Sequence, residues 1–576
     1  MQALISSNST SISRNFLPKK LSIDSWNTLA PFYEALKTRP INSKNDLEKW
    51  LKDRSELEAF VGEDVGWRYI KMNIDTTDEQ LEKSFNFFVN EIEPKIAPYE
   101  NSFNQKLIQS SFLDELDTET YFVYLRAIKK EMEIYRDENI PLKTQLTEEA
   151  QQYGAISAKM TIEIDGKTNT LQQASIYLKS TDRKLREEVY KKIAQRRLQD
   201  AQKLDDLFTS LIKKRQQLAL NTGFENYRDY MFAEMGRFDY TKQDCFDFHN
   251  SIAKEIVPVI NQFDENRKTK LKVTSLKPWD KMVDVDGKSP LQPTQSGAEL
   301  MDKTIACFHN IHPYFGQCME TMKEMKHVDL ESKVGKAPGG FNYPLNESGV
   351  PFIYMNSVGS QRDMITMLHE GGHAVHSFLS HPLALTAFKD VPSEVAELAS
   401  MSMELISMDF WDVFYTNEEE LKRAKREQLE GVLNTLPWVA TIDKFQHLLY
   451  ENPTHTLMQR KEIWKNIMDE FSSSVVDWSD CEDEKTYYWQ KQLHLFEVPF
   501  YYIEYGMAQL GAIAVWRNYK NNPTKAIEQY MEALKLGYTK PIAEIYATAG
   551  IKFDFSQEYI HELVTFVKSE LDKVEK

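Results

Sequence analysis

Cysteine is scarce in this chain. Cys245, Cys307, Cys318 and Cys481 are the only four in 576 residues, and none forms Cys-x-x-Cys. So few, so scattered, they exclude a disulfide framework and read as reduced thiols, which predicts a cytoplasmic protein. Excess positive charge is also missing. A formal net charge of −17 argues against a nucleic-acid partner, whose phosphates need basic patches. No run of about 18 consecutive apolar residues is present, so no membrane span is expected. The opening stretch MQALISSNSTSISRNF holds no apolar run like that of a signal peptide. Internal repeats and long low-complexity tracts are lacking too, which favours one continuous helical protein over separately linked domains.

Histidine is sparse as well, twelve in all, yet three fall in the stretch Met367-Leu368-His369-Glu370-Gly371-Gly372-His373-Ala374-Val375-His376. This contains His-Glu-x-x-His. On a helix, His369 and His373 lie one turn apart on the same face and can hold one zinc ion. Glu370, beside the first histidine, can reach a water held at the metal as general base. Local signals predict the helix. Ser360 and Asp363 have the form of a capping box, Met364, Met367, Leu368, Val375 and Phe378 make an apolar stripe, and Pro382 limits its length. Gly371 and Gly372 are poor helix formers and predict a close backbone approach. His376, one turn beyond His373, is a candidate partner of the site or a packed histidine. His561-Glu562 begins a similar pattern, but no second histidine follows, and it reads as surface helix. His381, His447 and His455 read as ordinary packed or surface histidines.

Along the rest of the chain, residues 1–20 are Ser/Asn-rich and expected to be loosely ordered. Residues 25–150 read as successive amphipathic helices, such as Asn45–Phe60 and Thr77–Ile92. Met160–Ile164 alternates, Asp165-Gly166 signals a turn, and Thr168–Leu171 can return as a hairpin. A long charged helical region is predicted from Asp182 to Leu220, further helix to about Phe263, and a loop over 268–297. Residues 335–341 are glycine-rich. Pro351–Asn356 reads as a short strand, either an ordinary sheet strand or an edge that pairs with an extended peptide.

Two histidines do not fill a tetrahedral site, and a carboxylate from a second helix is the natural complement. The helix after Val391-Pro392-Ser393 offers Glu394, Glu397 and Glu404. Glu397 and Glu404 share a face across two turns, and Glu394 lies near it, so spacing alone does not choose among them.

With these runs assembled, the chain resembles the thimet oligopeptidase and oligoendopeptidase F family of zinc metallopeptidases. The matching residues are the stretch 335–358, MLHEGGHAVHSF, AELASMSME, Asn226–Tyr230, and His494 to Tyr505, within a region of about 150–560. The resemblance implies Glu397 of Glu397-Leu398-Ala399-Ser400 as third ligand of a single zinc, with Glu404 behind it. It also implies that His494, Tyr502 and Tyr505 contact substrate or the developing oxyanion. Tyr501 stays an alternative, because the spacing differs by one residue from some relatives. The implied fold is mainly α, with two helical lobes around a deep substrate channel and a small β-sheet beside the zinc site. Residues 1–150 would be an N-terminal helical region and 151–576 the catalytic region. The implied activity is that of a zinc endopeptidase acting on short unstructured peptides. The alternatives are a zinc carboxypeptidase or dipeptidyl carboxypeptidase on the same fold, or a non-catalytic peptide binder, against which the intact Glu370 argues.

Overall fold

The computed structural model describes residues 14–575, which are mainly helical, with five short strands in two small sheets among the described residues. The chain forms two compact units, each built from separated stretches. The first takes the chain up to Met132, Leu291–Lys425 and Ala508–Phe553; the second takes Glu133–Pro290, Arg426–Met507 and the chain from Asp554 onward.

In the first unit, helices Trp26–Thr38, Lys44–Ile74 and Glu93–Ile108 bury an aromatic and aliphatic core that includes Leu29, Leu36, Trp50 and Phe103. Their apolar residues recur at helical spacing, so one face of each is removed from water. The expectation of a loose start lies outside the described residues as far as residue 13. From Arg14 onward it is corrected. Arg14 Nε donates to Glu347 Oε1 at 2.6 Å, the backbone N–H groups of Asn15, Phe16 and Leu17 all donate to Glu56, and Leu17 is buried. A carboxylate that accepts three successive amides anchors the segment despite its polar composition.

The three-stranded sheet of this unit comprises β3 (Val328–Glu331), β4 (Phe341–Tyr343) and β5 (Phe352–Ser357), in the order β3-β5-β4, with β5 parallel to β3 and antiparallel to β4. The strand expected at Pro351–Asn356 is therefore central, not an edge, and both of its hydrogen-bonding sides are taken. Its unbroken apolar run, Phe352-Ile353-Tyr354-Met355, buried at all four positions, is what a strand covered on both faces requires.

The second unit contains the expected hairpin, β1 (Thr161–Ile164) and β2 (Lys167–Thr170), after the helix Ile140–Ser157. Asp165 and Gly166, at φ 51° and 72°, take the left-handed conformations that a tight two-residue turn demands. The charged helical region is two helices, Arg183–Gln199 and Ala201–Asn221, parted at Asp200, whose φ −101° and ψ 3° leave the helical region. The segment after Lys270 is irregular, as expected, but pinned. Buried Asp280 accepts from Arg183, Arg186 and the Lys277 amide at 2.8–3.0 Å.

Candidate metal centre

The helix Gln361–Ser380 starts at a capping box, with Ser360 accepting from the Asp363 amide and Asp363 accepting from the Ser360 amide. It packs against the helix Ser393–Ser407, and glycine makes the approach possible. A Cβ built on Gly372 would lie 2.7 Å from Ser400 Cα and 2.9 Å from the Ala399 carbonyl oxygen, and one on Gly371 would lie 2.6 Å from Phe308 Cζ. The expected close approach is thus an approach of helix backbones, and the small residues Ala399 and Ser400 serve it from the other side.

That approach brings three side chains together. Ligand atoms of His369, His373 and Glu397 all lie within 4.8 Å of one another. Glu397 Oε2 is 3.3 Å from His369 Nε2 and 3.9 Å from His373 Nε2. Donors about 2.0–2.2 Å from a tetrahedral ion lie about 3.3–3.6 Å from each other, so this donor set fits a metal with small adjustment. Glu404 accepts from His369 Nδ1 at 2.7 Å, which turns Nε2 toward the other two donors. Ser400 Oγ donates to Glu397 Oε2 at 3.1 Å. Glu394 is buried on the same helix, outside this group of donors.

The electrostatics follow from burial and pairing. Burial pulls His369 down, but its hydrogen bonds to Glu397 and Glu404 outweigh it and hold the imidazole well above its ordinary pKa. Burial pushes Glu397 up, yet the hydrogen bond from His369 and the charges of both histidines take it down to about 2. His373, lacking such a bond, is lowered by burial to about 4. A divalent cation would take the place of the proton that His369 shares with Glu397. Burial raises Glu370 to about 7, and only 7% of it is exposed. A carboxyl poised there is matched to accepting and returning a proton near neutral pH. Asn342 on β4 donates to the Glu370 carbonyl at 3.2 Å, tying the sheet to this helix. His376 is buried, lowered by burial to about 3, and makes a backbone hydrogen bond at Leu534.

The remaining candidates lie in the second unit. His494, Tyr501, Tyr502 and Tyr505 form one aromatic cluster, with His494 4.8 Å from Tyr502 and 6.2 Å from Tyr505 between ring centroids, and Tyr505 5.4 Å from Tyr501. The helix begins only at Ile503, so Tyr501 and Tyr502 lie in the turn before it and helical spacing is not what unites them. Phe500, at φ 67°, bends the chain there. Burial raises the Tyr502 hydroxyl above its ordinary pKa, so it remains a donor, and burial lowers His494. The run Asn226–Tyr230 serves structure: Asn226 caps the helix Tyr227–Glu234, and buried Arg228 pairs with Asp229 and Glu451.

Two supporting residues escaped the sequence reading. Tyr530 donates to the Ala399 carbonyl at 2.8 Å and Tyr546 to the Glu394 carbonyl at 3.0 Å, holding the glutamate helix from 131 and 152 residues away. No local pattern marks a tyrosine for that task.

The chain has relatives among known proteins. The model of peptidase family M3 matches residues 176–565, and that of the peptidase M3 N-terminal domain matches residues 16–135. An oligoendopeptidase F homologue of Borreliella burgdorferi is 21% identical over 564 residues, covering 94% of this chain and 92% of that protein. A solved structure described as an oligoendopeptidase F superposes with a TM-score of 0.86 at 26% identity, covering 96% of this chain and 98% of the other. That of PZ peptidase A with an inhibitor gives 0.87 at 24% identity over the same shares of the two chains. With family models covering both the N-terminal helices and the stretch that holds the histidine and glutamate helices, the chain belongs to peptidase family M3, whose members are metallopeptidases.

Proposed function

We propose that this peptidase is a cytoplasmic zinc-dependent oligoendopeptidase that cuts short unstructured peptides. The observation that carries the reading is the convergence of His369 Nε2, His373 Nε2 and Glu397 Oε2. These three residues would hold one zinc ion, a metal suited to nitrogen and oxygen donors in a tetrahedral site. Bound there, zinc would act as a Lewis acid on the scissile carbonyl and on the attacking water. Glu404 orients His369 through Nδ1. Glu370 takes a proton from the attacking water at its carboxylate and later delivers it to the leaving nitrogen. Tyr502 and Tyr505, with His494, are the proposed donors to the oxygen that becomes negative; Tyr501 is the alternative. Support for that role is the family resemblance together with the clustering of the Tyr502 and Tyr505 rings about His494. Substrates are read as short peptides because the homologues bear the name oligoendopeptidase.

The test is a digest of an internally quenched peptide blocked at both ends, followed with and without chelator, beside elemental analysis of the dialysed protein. Cleavage within the blocked peptide, lost on chelation and restored by zinc, is expected. A requirement for a free C-terminus would instead favour the carboxypeptidase alternative. Glu397→Ala should abolish zinc retention at this site. Retention unchanged in Glu397→Ala but lost in Glu394→Ala or Glu404→Ala would overturn the ligand set.

A further inference from the structure

The second unit contains a buried donor cluster separate from His369, His373 and Glu397. Helix Lys242–Glu255 carries Cys245 and His249, and helix Glu418–Glu451 carries Asp443 and His447. Each pair is spaced four apart, so each lies on one helical face, and the two faces meet. Donor atoms of Cys245, Asp443 and His447 all lie within 4.8 Å of one another. His249 Nε2 donates to Asp443 Oδ2 at 2.8 Å, and His447 Nε2 is 3.2 Å from the same oxygen. All four residues are at most 1% exposed.

The surroundings are apolar. Phe246, Phe500 and Phe232 stand 5.0, 5.5 and 6.3 Å from the His447 ring. Yet Asp443 Oδ1, His447 Nδ1 and His249 Nδ1 have no hydrogen-bond partner. Buried polar atoms are rarely left so, and a carboxylate among aromatic rings is costly unless its lone pairs are engaged. A thiol, a carboxylate and an imidazole converging on one point form a donor set of the kind metal coordination uses.

We propose that Cys245, Asp443 and His447 form a second, buried metal site for a zinc ion, three protein donors strong, with His249 orienting Asp443. A sulfur, nitrogen and oxygen donor set suits zinc. Its role would be to clamp two helices of the second unit that are nearly two hundred residues apart in sequence.

The test uses the full chain, stripped with chelator and reloaded with Co²⁺. The candidate active site has no sulfur donor, so a thiolate-to-cobalt charge-transfer band in the near ultraviolet reports the cysteine site. The band is expected in the wild type and in His373→Ala, and absent from Cys245→Ser. Zinc content should be about two per chain in the wild type and about one in either variant. Absence of the band from the cobalt-loaded wild type would overturn the site, and that spectrum decides even if Cys245→Ser fails to fold. Survival of the band in Cys245→Ser, or a single zinc lost in His373→Ala and kept in Cys245→Ser, would also overturn it.

Discussion

Replacing Glu370 with glutamine keeps the size of the side chain and removes its capacity to take a proton. Because Glu370 is outside the donor set, metal content should stay near wild type while kcat falls by about 10²–10⁴-fold. Steady-state kinetics with a zinc determination on the same sample check both halves. Tyr502→Phe removes one hydroxyl. If that hydroxyl donates to the oxyanion, the loss should fall on kcat, by about 10²–10³-fold, with KM little changed. Near-normal turnover in that variant would move the role to Tyr505, Tyr501 or His494. Glu404 acts through His369 Nδ1, so Glu404→Gln should weaken metal retention by about 10–100-fold in a chelator competition. An unchanged affinity would show that the 2.7 Å contact does not tune the ligand.

Two contrasts test the elements. Gly372→Ala places a methyl group against the Ser400 backbone and should force the histidine and glutamate helices apart, costing about 1–3 kcal/mol and weakening metal retention. Gly431, inside the helix Glu418–Glu451, has nothing within 4 Å of a built Cβ. Gly431→Ala should therefore stabilise, by about 0.4–1 kcal/mol, through lost freedom of the unfolded chain. Thermal unfolding at one scan rate distinguishes the two signs. The pinned loop supplies a pH test. Burial pushes the Asp280 carboxyl up, but hydrogen bonds from Arg183, Arg186 and the Lys277 amide take it below its ordinary range. Its contribution is thus fully present above the unfolded value of about 3.9 and is lost as pH falls through the lower folded value. Asp280→Asn leaves Arg186 buried with no charged partner and should cost about 3–5 kcal/mol at pH 7. The gap to wild type should narrow as pH falls from about 4 toward the lower folded value; a gap independent of pH would refute the ion-pair account.

For the whole molecule, the relevant property is how deeply the proposed reacting groups lie. Glu370 and Glu397 are 7% and 8% exposed, so a scissile bond must be carried to them on extended, accessible backbone. A stably folded protein does not present such a segment. Incubated with an unstructured peptide and a folded protein together, the enzyme should consume the first and leave the second intact on a gel. Cleavage within structured regions of the folded protein would sink the oligopeptidase reading.

Much of this was legible in the sequence because it depends on neighbours within a few residues. His369 and His373 share a helical face whatever surrounds them, the Ser360–Asp363 box starts that helix, and Asp165-Gly166 makes the hairpin turn with its own backbone. What tertiary structure alone decided depends on which distant segments pack together. Glu394, Glu397 and Glu404 lie on or near one face of one helix. Only the close approach at Gly372, held by Tyr530 and Tyr546, sets that helix so that Glu397 meets both histidines and Glu404 meets His369 from behind. Pro351–Asn356 read as a strand from its residues, but whether it was edge or centre depended on β3 and β4 arriving on both sides. Cys245 and His447 looked unremarkable apart, since spacing four along one helix describes a face and not what another helix brings to it. Local spacing settles which side chains point the same way; the packing of remote helices settles which of them touch.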